Sequence, residues 1–359
     1  MSMIEKLIEE RKLPELLKFS DGSDVTAENW EERRQEILDI LSREEYGYAP
    51  PAPKEVKVVS EDAKMPYSDF AGKAVSKTLT FTVETDSGEF TFPATEIVPI
   101  SDKPRRTFVL INFRPEVPDR YYPTEELIDT GCAVIQLYYN DIAFDGRDDF
   151  KGGIAPMFDR KKYTWGKIRM WAWAASRVMD YLQTADYCDK DHIAVVGHSR
   201  LGKTALVCAA FDTRFAMACV NNSGCSGDSI TRGKKGERIR QITHNFPFWF
   251  CDDYQKYIDK EEEMPFEQHW LVAAVAPRKV ALGSALEDEW ADPESSYLSA
   301  CAASPAWELN GKTGFVHPDR MPEVGDYFAE GDIKYHLRGG KHFLSRKDWA
   351  YYAEALNNI

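Results

Sequence analysis

The sequence predicts an α/β fold: a mostly parallel, doubly wound sheet with antiparallel strands at its N-terminal edge and helices on its flanks. Short, nearly uninterrupted apolar runs mark buried parallel strands, and helical stretches lie between them. An earlier segment alternates polar with apolar residues, as antiparallel strands do. With 359 residues, 43% of them hydrophobic and nine of them Trp, the chain can fill one large core, so a single domain over residues 1–359 is expected.

In chain order, residues 1–50 read as an N-terminal helical extension. Its clearest part is the run Trp30 to Leu41, with Thr26 as N-cap and Glu28 in the first turn, where the helix dipole favours an acid. Ala49-Pro-Pro-Ala-Pro-Lys ends it, because proline cannot continue a helix. Residues 55–100 read as antiparallel edge strands, as in Lys77-Thr-Leu-Thr-Phe-Thr-Val-Glu and Glu89-Phe-Thr-Phe-Pro-Ala-Thr-Glu-Ile-Val. Buried strands follow at Thr107 to Phe113, Cys132 to Tyr139, His192 to Gly197, Phe215 to Asn222 and Arg278 to Ser284. Helices are expected at Trp165 to Thr184 and Gly202 to Phe211, and a last strand at Asp332 to Arg338.

The net charge of -14 would repel a phosphate backbone, and no Lys/Arg stripe offsets it, so neither nucleic acid nor an anionic membrane is expected as a partner. The one basic stretch, Arg232 to Arg240, contains Glu237 and reads as a solvated or substrate-proximal loop. Seven scattered cysteines, with no C-x-x-C pair and no histidines at zinc-finger spacing, suggest reduced, mostly buried thiols and no metal site. The charged, amphipathic N-terminus is unlike a secretory leader, so a cytoplasmic location is the expectation. Nothing in the sequence sets the oligomeric state.

Chemistry enters at Ile193-Ala-Val-Val-Gly-His-Ser-Arg-Leu-Gly-Lys, which places Ser199 on the turn between a buried strand and a helix. That is the context of a nucleophile elbow, where a serine is raised above the sheet on a strained turn and small residues let strand and helix pack closely. The segment departs from G-x-S-x-G, since Leu201 holds the last position and Gly202 follows it. An isolated Gly-x-Ser is as often an ordinary αβ connection. The strand before it, the helix after it, and an acid and a histidine downstream favour the α/β-hydrolase reading.

The base of that fold follows the last strand, and His342 stands there, in the flexible loop Gly339-Gly-Lys-His. His336 lies within the strand pattern and reads as structural, while His317 precedes that strand. The acid that orients the imidazole is expected after the preceding strand, in Glu287-Asp-Glu-Trp-Ala-Asp-Pro. Asp288 is the first choice, with Glu287 and Asp292 as alternatives. Asp292 before Pro293 also fits a plain helix start.

The motif Gly197-His-Ser-Arg-Leu-Gly-Lys resembles the elbow of glucuronoyl esterases, carbohydrate esterase family 15, and Gly340-Lys-His-Phe-Leu-Ser-Arg-Lys-Asp-Trp concurs. The resemblance covers roughly residues 100–359. It implies a serine carboxylesterase that cleaves esters of (4-O-methyl-)glucuronic acid, such as those joining glucuronoxylan to lignin, without a cofactor. It further implies Arg200 as an oxyanion stabiliser, Lys203 as a contact to sugar hydroxyls and Trp290 as a substrate-facing ring. Many members carry a catalytic Glu after the strand that follows the elbow. This chain has Asn221-Asn222-Ser-Gly there, which leaves the role to Asp288.

The expected partner is thus a small carbohydrate ester. Two other readings compete: an acetyl-xylan esterase or other carbohydrate deacetylase, and a non-catalytic relative that holds sugars through its Trp-rich surface. The paired cations Arg200 and Lys203 favour an acyl group bearing hydroxyls or charge over bare acetate.

Overall fold

The computed structural model describes residues 1–62, 69–161 and 164–359. Residues 63–68 of the expected edge-strand region lie outside the described residues. Three antiparallel strands begin the sheet: β1 (Val56–Asp62), β2 (Ala74–Thr85) and β3 (Gly88–Pro99). Next come β4 (Arg105–Asn112), β5 (Ala133–Tyr138), β6 (Cys188–His198), β7 (Met217–Asn221), β8 (Lys279–Ala285), β9 (Tyr327–Phe328) and β10 (Ile333–Arg338). Among the described residues they form one sheet in the order β1-β2-β3-β5-β4-β6-β7-β8-β10-β9. The block from β5 to β10 is parallel. β9 closes the far edge antiparallel to β10, an addition to the expected topology; two residues are too short to show a period.

The central strands read as unbroken apolar runs because both faces are covered. Val109, Ile111 and Val195 belong to a core shared with the helices Lys167–Leu182 and Arg200–Phe211. Their chain neighbours Phe108, Leu110, Ala194 and Val196 belong to the opposite core, under the C-terminal helix Arg346–Asn357. The chain runs from β4 outward to β5, then returns past β4 to β6. The strand order therefore reverses at β4, and a crevice opens at the carboxyl ends of its neighbours.

Residues 1–50 are less helical than expected, and they are not an appendage. Helices cover Met3–Glu10 and Trp30–Leu41, followed by a π-helical turn at Ser42–Tyr46, while residues 11–29 form turns. Trp30, Ile37 and Leu41 are buried in the main core, and the Arg34 guanidinium donates to the carbonyls of Ala274 (2.9 Å) and Ala210 (2.7 Å). Thr26 is not the N-cap. Asn29 holds that position, and its Oδ1 accepts from the Thr26 N–H at 2.7 Å, so Thr26 opens the preceding turn instead. All seven cysteines are free and buried. Among the described residues no helix is long and apolar enough to cross a membrane.

The π-helical turn carries Glu45 into the core, where its carboxylate accepts from the Gln268 Nε2 at 3.2 and 3.1 Å. Burial pushes the Glu45 carboxyl up to about 8; the Gln268 bond opposes this and the charge of Glu267 adds to it. A folded-state pKa raised above the ordinary 4.5 means this group favours folding in acid and loses that contribution as pH rises toward 8. Wild type is therefore expected to lose stability relative to Glu45→Gln between pH 5 and pH 8, by up to about 1.4 kcal/mol per pH unit, in urea unfolding. Parallel pH dependences in the two proteins would refute this.

Candidate active site

The functional groups lie along the carboxyl edge of β6, β7, β8 and β10. Ser199 follows the last residue of β6 with φ 60° and ψ -127°, a region that non-glycine residues avoid. The turn can be this sharp because Gly197 and Gly202 have no Cβ. One at Gly197 would overlap the Leu201 carbonyl, and one at Gly202 would lie 3.0 Å from the Asn221 oxygen. The Ser199 N–H donates to the Asn221 carbonyl at 2.9 Å, tying the elbow to β7. The helix Arg200–Phe211 starts at once, so the N–H groups of its first turn have no partner within the helix.

His342 and Asp288 meet across 54 residues of sequence: His342 Nδ1 lies 2.6 Å from Asp288 Oδ2. An ionised carboxylate can only accept, so Nδ1 carries the proton and Nε2 is left bare. The same oxygen accepts from Asn222 Nδ2 at 2.6 Å, and the Ala291 N–H lies 3.4 Å from the other. Burial alone would raise the Asp288 carboxyl. The hydrogen bond and charge of His342, with Asn222 and Ala291, outweigh it and hold the group below the usual carboxylate range. His198, whose ring centroid lies 4.4 Å from that of His342, donates from Nδ1 to Asn221 Oδ1 at 2.7 Å. Burial, then the charge of His342, depresses His198 to about 3, so it backs the pair as a neutral ring.

The loop that carries His342 is held from beneath. Arg338, at the end of β10, donates to the carbonyls of Gly339 (3.1 Å), Lys341 (3.2 Å) and Phe343. Asp348 fixes Arg338 at 2.8 Å and His336 at 2.8 Å. Burial would raise the Asp348 carboxyl, yet these partners bring it down to about 2. Sequence reading set His336 aside as structural, and it is; the clamp on the loop was not foreseen.

Ser199, Asp288 and His342 line one cavity of about 420 Å³ with Arg200, Lys203 and Trp290. Lys203 is buried and donates to the Ser223 carbonyl, with further N–H groups to spare. Glu237 lines the same cavity; among the described residues its carboxylate makes no hydrogen bond or ion pair, though its charge acts on the buried Lys234. The Arg200 guanidinium is paired with Asp145 and lies 4.7 Å from the Trp249 ring centroid and 5.1 Å from that of Phe246. Asp145 also accepts from Trp249 Nε1 at 2.6 Å and Tyr139 OH at 3.0 Å. Trp290 is 52% exposed. Among the described residues no group of His, Cys, Asp and Glu could hold a metal ion.

The two alternative acids stand apart from His342. Glu287 accepts the Gly340 N–H at 3.1 Å, and Asp292 caps the helix Pro293–Ala303, accepting from the Ser295 N–H at 3.2 Å and its hydroxyl at 2.7 Å. The Arg232–Arg240 stretch is solvated only in part: Lys235, Arg238 and Arg240 are exposed, while Arg232, Lys234 and Glu237 are buried, with Arg232 donating to the Phe266 and Met264 carbonyls. Its substrate-proximal reading agrees with Glu237 in the cavity. Asp145, Phe246 and Trp249 were missed. The one available signal was that residues after β5 flank the strand-order reversal.

Residues 81–311 match the family model described as glucuronyl esterase, fungi. The chain is 41% identical to carbohydrate esterase MZ0003 of an unknown prokaryotic organism over 236 residues, 64% of this chain and 54% of that protein. It is 30% identical to 4-O-methyl-glucuronoyl methylesterase 1 of Wolfiporia cocos over 316 residues, 84% of this chain and 72% of that one. Its fold superposes on a glucuronoyl esterase from Solibacter usitatus with TM-score 0.88 and 31% identity, over 96% of this chain and 97% of the other. The chain thus spans about half the length of the first of these relatives and nearly all of the solved structure.

The elbow geometry sets a test. A Cβ at residue 197 meets backbone that cannot yield, so Gly197→Ala is expected to destabilise the fold by about 3 kcal/mol, read as a lowered urea midpoint. An unchanged midpoint would mean the turn is looser than described.

Proposed function

The chain belongs to the glucuronoyl esterase family, carbohydrate esterase family 15, whose members are carboxylic ester hydrolases, and we propose that it cleaves esters of (4-O-methyl-)glucuronic acid by serine acyl transfer. The observation that carries this reading is the His342–Asp288 pair in one cavity with Ser199, Lys203 and Glu237. His342 Nε2 takes the Ser199 proton, and Oγ attacks the ester carbonyl. The collapse of that adduct expels the alcohol, which receives the proton from His342. Water, deprotonated by the same nitrogen, then attacks the acyl-serine, releases the uronic acid and restores Ser199. Asp288 stays ionised throughout, holding the tautomer and stabilising the imidazolium.

The oxyanion is met by the free N–H of Arg200, in the first turn of its helix, and by its guanidinium. The bond to Asp145 and the face of Trp249 hold that guanidinium still, so it need not reorganise as charge develops. Lys203 and Glu237 offer a donor and an acceptor to the hydroxyls of the uronate ring, and Trp290 offers it an apolar face. An acetyl group would leave the spare N–H groups of Lys203 and the carboxylate of Glu237 unused, which favours the uronate ester.

Hydrolysis of benzyl glucuronate, 4-nitrophenyl acetate and acetylated xylan by wild type and Ser199→Ala tests the reading. Preference for the uronate, lost in the variant, is expected; release of acetate alone would make the protein a deacetylase, and inactivity on all three would leave a binding protein. Asp288→Asn should lower kcat by about 10³- to 10⁴-fold, because an amide stabilises the wrong tautomer. Glu287→Gln and Asp292→Asn should cost far less, and the reverse ranking would move the acid elsewhere.

A further inference from the structure

A second buried ammonium stands behind the acyl side of the catalytic cavity. Lys203 lines that cavity; Lys234 is not among its lining residues, yet it is only 5% exposed. The Lys234 Nζ donates to the carbonyls of Lys235 at 2.7 Å and Trp290 at 3.0 Å. Among the described residues it makes no ion pair with a carboxylate. A cation withdrawn from water without a carboxylate in contact is costly, so its charge must be offset in another way.

Two carboxylates act on it from a distance, Asp292 and Glu237. Asp292 is engaged by its neighbours, accepting from the Lys235 N–H at 2.8 Å and from the Ser295 N–H and hydroxyl at 3.2 and 2.7 Å. Glu237 is buried and makes no hydrogen bond through its carboxylate among the described residues. Burial lowers the Lys234 ammonium from its ordinary range; the Cys225 sulfur, Asp292 and Glu237 act against this, and Lys203 acts with it. The backbone fixes the arrangement. The Trp290 carbonyl accepts from the Glu237 N–H as well as from Lys234 Nζ, both at 3.0 Å. At Gly236, with φ +65°, a Cβ would overlap the Glu289 and Trp290 carbonyls, so the two segments touch backbone to backbone.

We propose that Lys234 is a positioning residue for recognition of the acyl group: it offsets the charge of Glu237 through space and fixes the Trp290 segment, without touching the substrate. This rests on the uronate-esterase reading and deepens it. A direct ion pair would occupy the oxygens of Glu237. Compensation from behind leaves them free to accept from the hydroxyls of the uronate ring, while an anion is still tolerated in a desolvated pocket. The separation works because Coulomb attraction falls only as the inverse of distance, whereas a hydrogen bond ends beyond about 3.5 Å. Selection of a hydroxyl-bearing acyl group thus depends on a residue outside the cavity.

The test compares kcat and KM for benzyl glucuronate, together with urea midpoints, in wild type, Lys234→Met, Glu237→Gln and the double variant. Lys234→Met is expected to raise KM by about five-fold or more and to leave kcat within about two-fold, the pattern of lost ground-state binding. Each single variant should lower the urea midpoint, because it leaves the other charge buried without its counter-charge. The double variant should lose less than the two single losses together, since neither charge is then left alone. Additive midpoints would overturn the proposal and make Lys234 a staple between two carbonyls. A fall in kcat at unchanged KM would overturn it too, by placing the effect on the catalytic groups. If Lys234→Met fails to fold, the double variant decides: a folded one supports the coupling, and an unfolded one refutes it. No turnover of benzyl glucuronate by wild type would sink the esterase reading, and with it the substrate role of Lys234, whatever the midpoints show.

Discussion

The site depends on a ladder of backbone hydrogen bonds that continues past the carboxyl ends of the parallel strands. The Ser199 N–H donates to the Asn221 carbonyl and the Asn222 N–H to that of Gly283. The Leu286 N–H donates to Arg338 and the Glu287 N–H to Gly340. Each bond ties the residue after one strand to the neighbouring strand or its loop, so the order of strands becomes an order of functional groups: Ser199, Asn222, Asp288, His342. Slipping any of these strands by one residue would turn its side chains to the opposite face and scatter the set.

Two histidine–aspartate pairs stand at this edge, and their surroundings give them different work. His336 and Asp348 are buried together, with Arg338 as a third partner, and they anchor the loop after β10. His342 and Asp288 make a bond of the same kind at 2.6 Å, but the imidazole is 42% exposed at a cavity. The first pair is a structural clamp and the second can exchange protons with what enters. The strain of the elbow is tolerated because the surrounding backbone fixes it from several sides.

Charge is handled the same way throughout the cavity. Arg200 would be unfavourable at a helix N-terminus, and Asp145 with the rings of Trp249 and Phe246 offsets that. Lys203 gives one bond to the fold, and Glu237 gives no hydrogen bond through its carboxylate among the described residues. Capacity left unused by the protein is capacity for a ligand.

Much of this was legible in the sequence, for local reasons. The five buried strands announce themselves because a strand covered on both faces must be apolar at every position. Ser199 stands out because only small residues permit the turn, and His342 and Asp288 follow from their places after β10 and β8. Other features were decided by contacts between distant segments. Glu45 is buried because a π-helical turn packs against Gln268, Asp145 reaches Arg200 across 55 residues, and Thr26 lost the capping role to a turn built by Asn29. Part of the Arg232–Arg240 stretch is solvated as expected, but Arg232 turned inward because Glu267 and the Phe266 carbonyl receive it. Sequence records what a residue needs from its immediate neighbours; which distant partner meets that need, and hence which side chains share a cavity, is set only when the sheet brings its edges together.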